Sequence, residues 1–453
     1  MDNKENKEKM ELNTLLKASG KMLEIYWIQR NLIPNGVWII LLTYCMVVFG
    51  SPMPPEITWL EIAMGCGLLI GSALLIVPVY REIKQQRAAK WIFGLTVILF
   101  LAPLCSSLVR GNTWPDIVRD IFPFLFLLMV PILLTFSASS NNLKALRMLV
   151  AIAIVLVGIC TAIAFFVGAI NLFGSLNELA SKLHDGLAQS EVTKLIIATD
   201  EEKETTFIKL YDPAMFFAAL FLSGWGVILM INSWARWLPG MILTGVGVTI
   251  SYCFMMSGLR SYTVFFVLAI MYASLAKWKE SGFYLRLLPV ISLICILWWP
   301  QIQQILHLLW IKQQAVGTNG KADEWWAVIT TIYASPQTLL FGIGWGGVFE
   351  NPILGVPTRF THSILSFYLL KTGFIGLGIL LTIIWLLLSH FQKPCISDRQ
   401  DISGLILLVS CLPPLLVGVL FEPTYKIISY GIILALLILT IPVCINPKEE
   451  SIR

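Results

Sequence analysis

Apolar residues in this chain come in long blocks separated by polar breaks. A helix that crosses a bilayer needs about 20 mostly apolar residues. The pattern predicts twelve such spans, at about 33–49, 60–79, 91–109, 118–136, 146–169, 213–231, 237–256, 261–276, 284–300, 362–389, 403–421 and 427–444. Those at 261–276 and 284–300 are short. Two long stretches, 170–212 and 301–361, separate the blocks and carry a helical period of their own. Residues 301–316 put Ile302, Ile305 and Leu309 on one face, with Gln301, Gln303, Gln304 and Lys312 elsewhere. Residues 323–334 repeat the pattern with Trp326, Ile329 and Tyr333, and a weaker version runs from Leu176 to Leu187. This is the pattern of amphipathic helices lying along a membrane surface. No internal repeat is visible.

Composition agrees with this reading. The chain is 57% hydrophobic and only 13% charged, with a mean hydropathy of +0.79; a soluble domain carries about a quarter charged residues. The expected fold class is an all-α polytopic membrane protein, about twelve transmembrane helices with two long extracytoplasmic loops containing amphipathic helices. Charge then orients it. The segment 1–32 holds six Lys and Arg, and the short loops on its side hold twelve, against three in the intervening short loops. Cytoplasmic loops carry the excess of Lys and Arg. Both termini (1–32 and 445–453) are therefore expected in the cytoplasm. The blocks 33–169, 213–300 and 362–444 are expected in the membrane, and 170–212 and 301–361 outside. The net charge of +5 arises in cytoplasmic loops and does not suggest nucleic acid. About thirty polar residues precede the first apolar run, which is not the plan of a cleavable signal peptide. The nine cysteines lack CxxC spacing and read as small buried hydrophobes, with no disulfide framework or zinc site.

Few residues are left that could carry chemistry. A charge within a span costs about 2.5–3.5 kcal/mol on insertion scales, so it faces protein or water. Arg119 lies between Asp116 and Asp120 near the outer end of the fourth span, where a local ion pair and a functional role are both open. Arg260 occupies a tight outer turn, where it can meet a lipid headgroup or a substrate. His362 opens the tenth span, as an interfacial anchor or as a base, since an imidazole titrates near 6.5. Arg359 stands three residues before it. Lys371 lies deeper in that span and needs an acidic partner or a wet cavity. Gly342, Gly344 and Gly347 spell G-x-G-x-x-G, but the dinucleotide fingerprint requires a βαβ unit. A tight turn or a close backbone approach explains them better. Gly67-x-x-x-Gly71 reads as a helix-packing signal.

The order of these elements resembles the O-antigen ligase and O-antigen polymerase superfamily of bacterial membrane glycosyltransferases. The matching pieces are SGLRSY around Arg260, a basic residue four before a Trp (Lys321 and Trp325), GIGWGGVF, and THSILSFYLLKTGFIGLGILL. They span roughly 205–385. The sequence departs from the family pattern at Ser363, where Asn follows the His in the family, and at Lys321 and Lys209, where the family has Arg. Lysine keeps the charge and loses the bidentate fork.

The resemblance implies an inner-membrane enzyme. Its donor is a glycan on a polyprenyl diphosphate at the outer leaflet. Its acceptor is a glycan, the lipid A core or a protein hydroxyl. His362 would be the general base. Arg260, Lys321 and Arg359 would hold the diphosphate, with Lys209 and Arg119 as further substrate contacts. The sequence has no DxD-like acidic cluster in its outer loops, so no metal or other cofactor is expected. The rival class is a lipid-linked glycan flippase or another twelve-helix transporter; a non-catalytic scaffold is a third.

Overall fold

The computed structural model describes residues 35–49, 58–77, 80, 87–121, 143–174, 212–232, 236–256, 260–276, 303, 310, 321–352, 355–391 and 402–440. The predicted span 284–300, most of 118–136, the amphipathic stretch 301–316 apart from residues 303 and 310, the stretch 176–187, and Lys209 lie outside them.

The described chain is mostly helical. In order it forms α1 (Asn35–Cys45), α2 (Trp59–Leu74), α3 (Arg87–Arg110), α4 (114–121), α5 (Leu143–Phe173), α6 (Pro213–Asn232), α7 (Trp237–Met256) and α8 (Arg260–Ala276). Then follow α9 (Lys321–Tyr333), α10 (Pro336–Phe341), a hairpin of β1 (Phe349–Asn351) and β2 (Val356–Thr358), α11 (Ile364–Phe391), α12 (Ile402–Leu420), a 3-10 turn (Pro423–Lys426) and α13 (Ile428–Thr440). Five of these helices, α3, α5, α6, α7 and α11, are long and apolar enough to cross a membrane. Shorter apolar helices include α12 and α13.

The core forms around α6. Its start is set locally: the Asp212 carboxylate accepts the Ala214 N–H at 2.8 Å, and Pro213 needs no donor partner in the first turn. From Ala214 to Leu222 every side chain is buried. A helix that is apolar all round has no solvent face and must be enclosed. Helices α5, α7, α12 and α13 pack around it, with Phe216 edge-on to Phe254 of α7 at 5.1 Å and to Tyr262 of α8 at 4.8 Å. The outward faces are apolar too: Leu42, Leu69, Leu238 and Trp385 are all exposed. Apolar residues on both the inside and the outside suit helices that sit in lipid. Gly67 and Gly71 lie where α2 crosses α1, and a Cβ at Gly71 would come within 2.7 Å of Ile40 and 2.9 Å of the Gly36 carbonyl. The small-residue pattern is thus a close helix contact.

One predicted span takes a different form. The stretch 362–389 reads as a single apolar helix, but α11 begins at Ile364 and breaks at Gly373, where φ is 64° and ψ is −167°. That conformation is open to glycine and strained for other residues.

Candidate active site

Three connections between helices converge at one end of the structure: residues 112–120, the stretch from Lys321 to His362, and the turn 421–427. Asn112 Nδ2 donates to the carbonyls of Ile343 (3.2 Å) and Trp345 (2.8 Å). Arg359 pairs with Asp116 at 2.5 Å. The Tyr425 hydroxyl donates to the Thr361 carbonyl at 2.7 Å. The Tyr44 hydroxyl at the end of α1 reaches Ser429 at the start of α13, at 3.1 Å.

The centre of this end is a carboxylate–imidazole pair. Helix α9 buries Glu324, Val328 and Ile332, which lie four apart on one face. Val328 and Ile332 pack with Ile343, Phe349, Leu369 and Leu370, and this apolar contact holds Glu324 down at 2% exposure. Its carboxylate lies 2.7 Å from His362 Nδ1 and accepts the His362 backbone N–H at 3.2 Å from both oxygens. Asn351, on β1, donates to the same carboxylate at 3.3 Å. With Nδ1–H donated to Glu324, the other ring nitrogen, Nε2, carries the free lone pair. The His362 side chain is 24% exposed, so it is both oriented and reachable. Ser363 accepts the Ser366 N–H at 3.2 Å and so caps α11, fixing His362 just outside the first turn. Trp326 and Tyr333, predicted for the membrane face of this helix, point away from the protein and are exposed.

Four cations lie at the same end of the structure, three of them bound to acids. Lys321 Nζ donates to the Phe421 carbonyl at 2.6 Å and lies 3.5 Å from Glu422. Arg359 holds Asp116, which also accepts from Thr113 at 2.6 Å. Lys371, fully buried, donates to Asp120 and to the Gly347 carbonyl, each at 2.5 Å. Asp120 accepts the Gly346 N–H at 2.7 Å as well. Lys426 lies over the Phe360 ring, 3.6 Å from its centroid.

The glycine-rich segment packs into the break in α11. Ile343 and Gly344 donate their N–H groups to the carbonyls of Leu370 (2.9 Å) and Lys371 (3.0 Å), which the break has freed. A Cβ at Gly342 would sit 2.5 Å from the Lys371 carbonyl, and one at Gly373 would sit 2.5 Å from that of Leu340. Trp345 fixes the segment from the other side by donating to Phe100 at 3.1 Å. The glycines therefore serve close backbone approach, and the segment is a packed structural wedge.

Of the residues the sequence singles out, the structure brings together His362, Arg359, Lys321 and, through the glycine wedge, Lys371. Arg119 is half-buried on α4, and both acids beside it also serve other cations. Arg260 is the first residue of α8. Sequence reasoning missed Glu324 and Lys426. The first had a legible signal, an acid in register with Val328 and Ile332 on an apolar face; the second is an ordinary loop lysine in sequence and is distinguished only by its surroundings. The chain is thus a mostly helical protein whose long apolar helices suit a membrane, with a charged cluster at one end. No family model, curated protein or solved structure matches it.

Proposed function

We propose that this chain is a glycosyltransferase of the cell membrane. It would move a glycan from a polyprenyl diphosphate to an acceptor hydroxyl at the outer face, as an O-antigen ligase or polysaccharide polymerase does. The observation that carries the reading is the buried Glu324 carboxylate 2.7 Å from His362 Nδ1. A base oriented in this way can remove a proton from a sugar hydroxyl. In the proposed reaction Nε2 of His362 takes that proton as the acceptor oxygen attacks the anomeric carbon. The bond from that carbon to the diphosphate oxygen breaks, and its electron pair leaves with the lipid diphosphate. Glu324 stabilises the imidazolium that forms. A single displacement inverts the anomeric centre. The leaving diphosphate gains negative charge, and cations placed beforehand lower that cost. Arg260, Arg359 and Lys321 are the candidates, with Lys209 and Arg119 as further contacts. The exchange needs no metal, and twelve spans with both termini in the cytoplasm would put these groups at the outer leaflet.

The test is transfer by the purified protein in nanodiscs, from a polyprenyl-diphosphate-linked glycan to an acceptor glycan. Loss of transfer in His362→Ala, with normal expression, is the expected result; full transfer would remove His362 from the mechanism. A deletion strain separates the acceptors: single unpolymerised repeats indicate a polymerase, and accumulated lipid-linked polymer a ligase.

One observation favours a transporter instead. The Lys371–Asp120 pair lies at a broken helix, and discontinuous helices form the ion and substrate sites of many carriers. Movement of a lipid-linked glycan across a proteoliposome, with no glycosidic bond made, would establish that reading.

A further inference from the structure

Of Lys321, Arg359, Lys371 and Lys426, the first three are each committed to a carboxylate: Glu422, Asp116 and Asp120. Lys426 pairs with none of the described carboxylates and rests on an aromatic ring. Its turn is fastened on both sides. Tyr425 bonds Thr361, next to His362, and Lys321 bonds the Phe421 carbonyl. The ammonium thus sits on Phe360, two residues from the proposed base, half-buried and with none of the described carboxylates in ion-pair contact. A desolvated cation over a ring gains some energy from the ring quadrupole, but far less than from an anion.

From this placement we infer that Lys426 binds a phosphate group of the donor's diphosphate, supplying the counter-charge that Lys321 and Arg359 have already given to acids. The inference rests on the transferase reading above. Phosphate oxygens would complete the lysine's surroundings, and Phe360 would keep its stem in place when the site is empty.

A second line of evidence agrees. Burial pushes the Lys426 ammonium down to about 7. Lys371 and Arg359 also push it down, while Asp120 and Glu324 act in the opposite sense. Those four groups, from α4, α9, α11 and the segment before it, face Lys426 together with Phe360. A phosphate ligand binds the protonated form, so binding takes up a proton and weakens as pH rises through about 7.

The probe is undecaprenyl diphosphate, titrated against the full-length protein in phosphatidylcholine nanodiscs. Wild type, Lys426→Met (which keeps the apolar stem on Phe360) and Lys426→Arg (which keeps the charge) are compared. Near pH 6.5, Lys426→Met should bind about ten- to hundredfold more weakly and Lys426→Arg within a few-fold of wild type. Between about pH 6.5 and 8.5, wild-type affinity should fall relative to that of Lys426→Arg, which reports the ligand's own titration. Equal affinity of wild type and Lys426→Met, or identical pH profiles of wild type and Lys426→Arg, would overturn the assignment. If Lys426→Met does not fold, the pH comparison decides alone. Equal competition by phosphatidylglycerol would make the anion an ordinary headgroup and also overturn it. Glycan transfer is measured in parallel. Transfer by wild type with Lys426 dispensable for binding would sink the lysine and leave the transferase standing. No transfer by wild type would sink the transferase reading itself.

Discussion

Replacing Glu324 with Gln separates an oriented base from a surface histidine. In the native site the carboxylate accepts three hydrogen bonds: the His362 backbone N–H, the His362 ring at Nδ1 and the Asn351 amide. A glutamine has the same shape but presents one oxygen and one NH₂. The Asn351 amide donates at the Oε1 position and the backbone N–H reaches either position, so an oxygen at Oε1 keeps both of these bonds. The NH₂ then faces Nδ1, and two donors cannot share that contact. The ring must take its other tautomer, with Nδ1 as acceptor and the proton on Nε2, where the acceptor hydroxyl would approach. General-base catalysis contributes about 10²–10⁴ in rate, and most of it should disappear, about 3–5 kcal/mol of transition-state stabilisation. Stability should fall less, by about 1.5–3 kcal/mol, since the lost bonds are to a charged group. The assay is transfer rate against donor concentration in nanodiscs, with thermal unfolding of the same samples. The expected pattern is a large fall in kcat, a KM for donor within a few-fold of wild type, and a ring ¹⁵N signal that changes tautomer. A KM effect with unchanged kcat, or full activity with an intact fold, would refute the argument.

Other outcomes follow from the same geometry. Lys371→Met should destabilise by about 3–5 kcal/mol, because it leaves Asp120 buried without its cation; the double variant Lys371→Met/Asp120→Leu should recover part of the loss in thermal unfolding. Failure of the double variant to recover while glycan movement is lost would favour the transporter reading. Gly373→Ala puts a Cβ 2.5 Å from the Leu340 carbonyl in a backbone region strained for alanine by about 1–3 kcal/mol, and should show as reduced yield and early unfolding. Lys426 is depressed in the fold to about 7, so the unfolded chain binds more protons between about pH 7 and 10.4. Its contribution to stability therefore rises with pH across that window, and Lys426→Met should flatten the rise.

The five long apolar helices among the described residues were legible because an apolar run of that length is a composition signal that needs no partner to read. The apolar block 213–231 matched α6 to within a residue, since the length of the apolar run sets the length of the helix. The break at Gly373 was not legible. A glycine in an apolar run usually packs a helix, and only the carbonyls of Leu370 and Lys371, taken by Ile343 and Gly344, reveal the wedge. The site divides in the same way. His362 and Arg359 stand out as polar residues at an apolar boundary, so sequence finds them. What each can do depends on partners far along the chain: Asp116 for Arg359, Glu422 for Lys321, Glu324 for His362. Pairing changes the ranking. It promotes His362, whose partner orients it, and lowers the rank of Lys321 and Arg359, whose charge is already partly met by acids. Of the four cations Lys321, Arg359, Lys371 and Lys426, it leaves Lys426, a residue with no sequence distinction, with the most to gain from an incoming anion. A cation cluster should therefore be ranked by unmatched charge before it is ranked by proximity to a motif.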